Sequence, residues 1–436
     1  MAAPRLDTTF GVLFLTMFAI AAGNTALQSV LPALGRSLGV GDSWVAAVFS
    51  VSALLWVIAA PIWANRSDRH GRRAMVLVGM WGFVVAQLLC GVFLMLGING
   101  WIPPVATFVL FVLGRLIYGS FGSAAPPAVQ AIVAGRTTRE ERTRALALLG
   151  SAFGLGTIVG PAVSPYLIVG HIGRVEIGLA GPAFFAAIFG IVVLVAVARL
   201  LPRGAGEFAG HGAAQAYPSI GGQSTGASIT AATAVRGRAV SYLDPRVRAW
   251  LTIGLVIGHA QAMTGQTIGF LVIDRLALDP VAALKPTGIV LMIGAMSALL
   301  VQWGLIPLLN LAPRTLVRLG LVLAAAGCVA TGSATSLYGI ATGNALAAMG
   351  FGFIRPGFTA GASLAIDADA QGSVAGKVTS VNGASFVLGP SIGVGLYQLW
   401  RPLPYLAAGA ALVLLLGYAW LSLRPSTRDR GASPEE

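Results

Sequence analysis

Charge is what this sequence has least of: only 10% of its 436 residues are Asp, Glu, Lys or Arg, against about a quarter in soluble domains. Its two cysteines, Cys90 and Cys328, both fall inside apolar runs, with no CxxC pair and no histidine cluster beside them. That excludes a disulfide framework or a thiolate metal centre and leaves packing as their role. No Gly-rich phosphate loop of Walker type occurs, so direct use of ATP is not expected. HExxH, a Ser/His/Asp order and paired carboxylates are all missing, so neither catalysis nor a cofactor or metal is expected. The period-two alternation of barrel strands is absent too, which argues for helices.

What is present is apolar. Hydrophobic residues make up 56% of the chain, glycine occurs 57 times, and the mean hydropathy is +0.82. Runs of about 20 apolar residues, enough for a helix to cross ~30 Å of hydrocarbon, recur along most of the chain. Twelve such spans can be drawn, at 10–34, 43–64, 74–97, 103–133, 145–170, 177–201, 249–272, 286–309, 315–335, 338–363, 376–399 and 402–423. The first is full-length and followed directly by another, so it reads as a span rather than a cleavable leader. With both termini on one side, that side holds 21 of the 28 Lys and Arg residues. Five (Arg36, Arg174, Arg275, Lys285, Arg401) fall on the other, and Arg115 and Arg355 lie within spans. This is the positive-inside pattern, which places both termini in the cytoplasm. The net charge of +13 therefore reflects topology, and no nucleic-acid partner is expected.

Residues 203–247 are rich in Gly, Ala, Ser and Thr, lack apolar periodicity, and read as a flexible cytoplasmic linker. They divide residues 1–202, a first six-helix bundle, from 248–424, a second, with 425–436 as a cytoplasmic tail. Gly114-Arg115 and Gly343-Asn344 are 229 residues apart, as are Gly160-Pro161 and Gly389-Pro390. One offset shared by two features indicates a repeat, and two related bundles with a site between them suit alternating access.

In the loop after the second span, PIWANRSDRHGRR supplies Asp68, Arg69, Gly71, Arg72 and Arg73 in an order that ordinary positive-inside loops do not require. It resembles the GxLaDRxGRRxxl signature of the major facilitator superfamily, with Ala64 and Arg66 departing from that pattern. A glycine turn with fixed arginines and one carboxylate can pair with helix ends in one bundle position and not the other, which makes it a conformational latch. In the fourth span, Arg115 and Gly119 resemble the family's RxxqGxgaa motif, although Tyr118, Phe121 and Gly122 depart from it. An intramembrane arginine is costly and faces a polar cavity by default; the resemblance implies a part in proton coupling. In the fifth span, Gly156, Gly160 and Pro161 resemble the first half of the antiporter signature GxxxGPxxGG, with Ser164 and Pro165 in place of its last glycines. Gly389, Pro390 and Gly393 are the second-half counterpart. Small residues there allow close helix packing. The nearest resemblance is to the twelve-helix drug:proton antiporters that include tetracycline exporters.

Polar side chains at helical spacing mark the substrate cavity: Asn24 and Gln28; His259, Gln261, Thr264 and Gln266; Asn344 and Arg355; and Asn382. No Asp or Glu falls in the central part of any span. The cavity then holds two cations, Arg115 and Arg355, and suits neutral or anionic amphiphiles, with His259 or Asp68 as candidates for proton coupling. The expectation is an all-α, multi-pass protein of the bacterial cytoplasmic membrane, a monomer in lipid, exporting a small molecule on an ion gradient. The alternatives are a proton-coupled importer of an organic anion and a non-transporting sensor. If the loop is a latch, Asp68→Asn cripples turnover in vesicles but spares membrane insertion and substrate binding; loss of folding would instead make the cluster structural.

Overall fold

The structure, a computed structural model, describes residues 8–137, 139–202, 217–219, 239–367 and 370–423; the side chains of Asp68, Arg139, Glu140, Thr143 and Arg144 lie outside the described residues. So do the tail 425–436 and most of the linker 203–247. The described chain is helical almost throughout. Spans 1 to 3 are Thr8–Ser37, Asp42–His70 and Arg72–Ile98; span 4 is Pro104–Arg136; span 5 is Arg139–Val163 with a 3-10 extension Ser164–Leu167; span 6 is Gly181–Leu200. Spans 7 to 12 are Arg248–Leu276, Leu284–Leu309, Pro313–Ser333, Leu337–Leu364, Gln371–Leu399 and Leu403–Ser422.

Ten of the twelve meet the length and apolarity needed to cross a membrane. Spans 7 and 11 are both 29 residues long, yet fall short in apolarity. They hold His259, Gln261, Gln266 and Asn382, so the residues that lower their hydropathy are the cavity candidates themselves. Polar groups in hydrocarbon are costly, and in both helices they turn inward: Gln266 and Asn382 are buried.

Three local features depart from the sequence expectation. The ends assigned to spans at 145–170 and 177–201 instead form an antiparallel hairpin, Val169–Ile172 with Val175–Gly178, pairing His171 with Glu176. Gly173 turns it at φ +65°, and Asn99 at the end of span 3 clamps it through both backbone groups of Glu176, at 2.8 and 2.9 Å. Span 4 is interrupted by a 3-10 turn at Gly122–Ala124, because Pro126 and Pro127 follow and cannot donate to the helix. Span 8 passes through a π-helical stretch at Leu300–Leu305.

The repeat suggested by the common offset is visible in the packing. Gly114 of span 4 faces Cys90 of span 3, and Gly343 of span 10 faces Thr331 of span 9. Gly160 of span 5 meets span 1 at Ala22 and Thr25, while Gly389 of span 11 meets span 7 at Ala262. A second correspondence lies outside that offset. Arg73 at the start of span 3 donates to Ala198 and Leu201 carbonyls at the end of span 6, at 2.6 and 2.8 Å. Arg318 near the start of span 9 donates to the Leu423 carbonyl beyond the end of span 12, at 3.3 Å. Each half thus ties its last helix to its third by an arginine on the C-terminal carbonyls, where the helix dipole favours a cation.

These contacts leave no room for a side chain where the motif glycines cross. A Cβ at Gly160 would lie 2.3 Å from Thr25 Oγ1 and 2.4 Å from the Ala22 carbonyl, whereas one at Gly154 would meet nothing within 4 Å. Gly160→Ala is therefore expected to cost about 1–3 kcal/mol of stability through overpacking, seen as a lower midpoint of thermal unfolding in detergent, and Gly154→Ala not to lower that midpoint.

Candidate functional site

Spans 1 and 7 cross between the halves, and their facing residues are spaced about one helical turn apart on each helix. Gln28 donates to Gln266 at 2.9 Å, a Cβ at Gly269 would lie 2.9 Å from Pro32, and Arg36 meets Asp274. The seam therefore tightens from mid-span to the ends distal to the termini. There Arg36 grips Asp274 through two hydrogen bonds, of 2.5 and 3.0 Å, and Asp42 of its own half through two more, of 3.2 and 2.9 Å. Tyr397 of span 11 donates to Asp274 at 2.6 Å, Arg401 lies 3.5 Å from the same carboxylate, and Phe270 underlies the Arg36 guanidinium at 5.2 Å. Two-point geometry and partial burial, with the Arg36 and Asp274 side chains only 22% and 12% exposed, make this far stronger than a surface pair.

The seam extends sideways along the same distal half of the molecule. Spans 2 and 11 meet at Ser43 with Gln398 (2.6 Å), Ser50 with Ser391 (2.8 Å), and at mid-span where Gly383 faces Val57. Spans 5 and 8 meet where Gly288 faces Pro161 and Pro165.

Just short of this closure, at mid-span, are two arginine centres. In the first half, Arg115 Nη2 donates to Asn24 Oδ1 at 2.5 Å and lies 3.4 Å from Ser52 Oγ, while its guanidinium stacks over Tyr118 and Phe49 at 4.6 and 4.9 Å. Gly119 makes this possible, since span 4 packs there directly on the Ser52 carbonyl of span 2. In the second half, Arg355 Nε and Nη2 both donate to Gln261 Oε1, at 3.0 and 2.7 Å, with Phe386 5.9 Å from the guanidinium. Each centre sets an arginine of the fourth or tenth span on an amide of the first or seventh. Both guanidiniums are almost fully buried, 1% and 4% exposed, so the amides and rings offset a large loss of hydration.

A cleft bordered by Thr157, Pro161, Gln261, Thr264, Asn344 and Tyr405 runs between span 5 and the second half, enclosing about 740 Å³ counted out to its open mouth. Asn344 reaches across to the Val290 carbonyl of span 8 at 3.1 Å and does not meet Arg355. His259 is half-buried and gives its Nδ1 proton to the Leu255 carbonyl of its own helix at 2.8 Å, which leaves Nε2 as its free ring nitrogen. Asn382 is buried in span 11. The structure thus joins Asn24 to Arg115, Gln261 to Arg355 and Gln28 to Gln266, while His259, Asn344 and Asn382 stand apart from those pairs.

Of the loop cluster, Gly71 sits at φ +88° between spans 2 and 3, a backbone region that glycine adopts without strain. Arg72 is buried and donates to the Ala131 carbonyl of span 4 at 2.8 Å; Arg73 caps span 6 as above; Arg69 is exposed. Arg66 stacks on Trp63 at 5.9 Å, and Trp63 donates to the Ser120 carbonyl of span 4 at 2.6 Å. The Asp68 side chain lies outside the described residues. Gly156 and Gly160 place span 5 on span 1, and Gly389 and Gly393 place span 11 on span 7, with Gly393 packed on Met263; Pro161 and Pro390 lie inside those two helices, and the Pro161 carbonyl faces Gly288 of span 8. Ser164, where the antiporter pattern has glycine, shares a 2.6 Å hydrogen bond with Ser29.

Sequence reasoning missed the distal network and Ser52. Arg36 and Asp274 could have been found as opposite charges at the distal ends of spans 1 and 7, but pairing them needs the helix crossing, which spacing within one helix does not contain.

Two pseudo-equivalent helical halves, sealed at one end around a mid-span polar cleft, define a multi-pass membrane protein built as an internal repeat. The chain belongs to the Major Facilitator Superfamily, whose model matches residues 13–385, and its members are transporters rather than enzymes. It is 25% identical to Multidrug resistance protein 1 of Bacillus subtilis (strain 168) over 191 residues, 44% of each protein. It is 32% identical to Tetracycline resistance protein, class E, of Escherichia coli over 196 residues, again 44% of each. The chain thus matches less than half the length of these curated relatives. A bacterial homolog of the human lysosomal transporter Spinster, solved inward-facing and unoccupied, shares the fold with a TM-score of 0.73 and 12% identity, covering 97% of this chain and 98% of that one.

Asp274→Asn removes the charge that Arg36, Tyr397 and Arg401 share. Charge-assisted hydrogen bonds of this kind contribute about 1.5–3 kcal/mol, so the distal closure should lose roughly tenfold or more in population. Cysteines at positions 43 and 398, across the Ser43 to Gln398 contact, should then cross-link more slowly than in the parent carrying the same pair.

Proposed function

We propose that this chain is a proton-coupled secondary transporter that exports a small amphiphilic compound across the bacterial cytoplasmic membrane by alternating access, without ATP or a cofactor. The observation that carries the reading is the one-sided closure: the halves are sealed by charge on the distal side, just beyond a mid-span polar cleft. With the termini cytoplasmic, as the Lys and Arg distribution favours, this is an inward-facing state, ready to load from the cytoplasm. Relatives named for multidrug and tetracycline resistance support export, since resistance follows when a compound is removed. Rocking the halves about the contacts between them, such as Gly383 with Val57 and Gly288 with Pro161, would break the Arg36 to Asp274 pair and open the other side.

Coupling falls to groups whose charge can change. His259 Nε2 can accept a proton while Nδ1 stays anchored to Leu255. Arg115, fixed in its charge, biases whatever protonates near it, and Asp68 is the candidate carboxylate of the loop. A second reading, import of an organic anion, is favoured by the two buried arginines at mid-span.

Efflux from a pump-deficient strain over a panel of amphiphiles, with and without an uncoupler, separates the readings. Dissipating the gradient should make cells with the exporter accumulate more compound, cells with an importer less, and cells with a sensor the same amount. In vesicles, Arg355→Ala should reduce transport of anionic compounds at least tenfold, the loss expected when Gln261 at the cleft's border loses the cation behind it; unchanged transport of every anion tested would sink the anionic preference.

A further inference from the structure

The Arg115 centre is occupied. Tyr217, Pro218 and Ser219, the described residues within 203–238, are buried against the first half rather than exposed on its surface. The Tyr217 hydroxyl accepts a hydrogen bond from Arg115 Nη2 and lies 3.3 Å from both Asn24 Oδ1 and Ser52 Oγ. Its ring meets Trp56 and Tyr118 edge-on, with centroids 5.8 and 6.1 Å away and planes at 87° and 81°. Asn24 Nδ2 donates to the Pro218 carbonyl, so both ends of the Asn24 amide are used.

This is how a binding pocket holds a small aromatic ligand: a polar floor for one hydroxyl, aromatic walls for one ring, and almost complete exclusion of water. The floor both donates and accepts, which matches a hydroxyl better than an amine or an ether. Its described polar members around the guanidinium, Asn24, Ser52 and Tyr217, are neutral, and Arg115 Nε is buried without a hydrogen-bond partner among the described residues. The site as filled therefore retains an unbalanced positive charge and a spare donor. An oxygen more acidic than that of tyrosine would satisfy both better.

We propose that Asn24, Ser52, Trp56, Arg115 and Tyr118 form a subsite for the hydroxyl and ring of phenolic compounds, and that Tyr217 is its tethered occupant. This deepens the transporter reading by naming a substrate class, and rests on it only for the consequence in transport. A tethered side chain competes at an effective concentration of order millimolar. A phenol entering from the open side must therefore displace the linker, and the linker leaves as the site is loaded. An occupant seated about nine-tenths of the time lowers the apparent affinity of a free ligand about tenfold.

The test is calorimetric binding to the purified full-length protein in detergent, with 4-nitrophenol, 4-methylphenol and 4-nitrotoluene as probes. Tyr217→Ala should raise affinity for 4-nitrophenol about tenfold, with 4-methylphenol binding more weakly and 4-nitrotoluene, which lacks the hydroxyl, weakest. Tyr217→Phe, which keeps the ring in place, should show a smaller gain, and Arg115→Lys added to Tyr217→Ala should abolish the preference for the hydroxyl. The proposal falls if Tyr217→Ala leaves 4-nitrophenol affinity unchanged, or if the nitro compounds bind alike with and without the hydroxyl. Efflux that does not respond to an uncoupler would overturn proton-coupled export while leaving this binding result intact, so the two failures are distinguishable.

Discussion

The pair of Arg36 and Asp274 is the constraint on which the rest of the arrangement depends. It joins the distal ends of the two helices that cross between the halves, and every contact below it on that seam is weaker or neutral. Gln28 on Gln266 is one hydrogen bond between amides, and Pro32 on Gly269 is a close approach without charge. Two ions brought together at a helix end, each partly withdrawn from water, hold a geometry that amides alone would not. When the halves separate, Arg36 keeps Asp42 and Asp274 keeps Tyr397 and Arg401, but the two hydrogen bonds that join the pair must be replaced by bonds to water. Opening is therefore coupled to hydration of the distal end, which suits an element with two states and disfavours intermediate ones.

Below that seal the molecule repeats one device twice. An arginine from the middle of span 4 or span 10 reaches an amide on span 1 or span 7, and each guanidinium also lies against aromatic rings. The two centres are not copies by sequence offset: position 344, the counterpart of Arg115, is an asparagine bonded to span 8, and Arg355 lies three turns further along its helix. The second half has thus kept the chemistry and moved it toward the terminus side, which leaves the cleft around Gln261, Thr264 and Asn344 open. Asymmetry of this kind gives the halves different interiors, an arginine packed among aromatic rings in the first and an open polar cleft beside Gln261 in the second.

Fold and family were legible because they rest on signals local in sequence. Apolar runs, the asymmetry of Lys and Arg, and the order Asp68-Arg69 with Gly71-Arg72-Arg73 each lie within a few tens of residues. The cavity polar residues were legible for the same reason, as helical spacing on single spans. Their partners were not. Asn24 and Arg115 are separated by 91 residues, Gln28 and Gln266 by 238, and spacing within one helix is silent about which helix it will meet. The hairpin at Val169–Gly178 was missed because its apolar residues continue those of the flanking helices, and only Gly173 marks its turn. Spans 7 and 11 show the opposite case, in which low hydropathy that weakens a membrane assignment was itself the sign of a polar cavity.

The loop cluster also changes meaning once its arginines have partners. Arg72 and Arg73 bind carbonyls of spans 4 and 6, within their own half, and through these bonds hold the first bundle together in this state. Arg66, which the family pattern does not call for, stacks on Trp63, and Trp63 is itself hydrogen-bonded to span 4. The cluster therefore fixes the terminus-side ends of spans 2, 3, 4 and 6 as one body. Under the proposed alternating access, a half that moves as a unit can transmit the loss of one ion pair at its far end, whereas a half whose helices slid independently would absorb it. Gly71 permits this by turning the chain at a positive φ, so that the arginines on either side of it point to different helices.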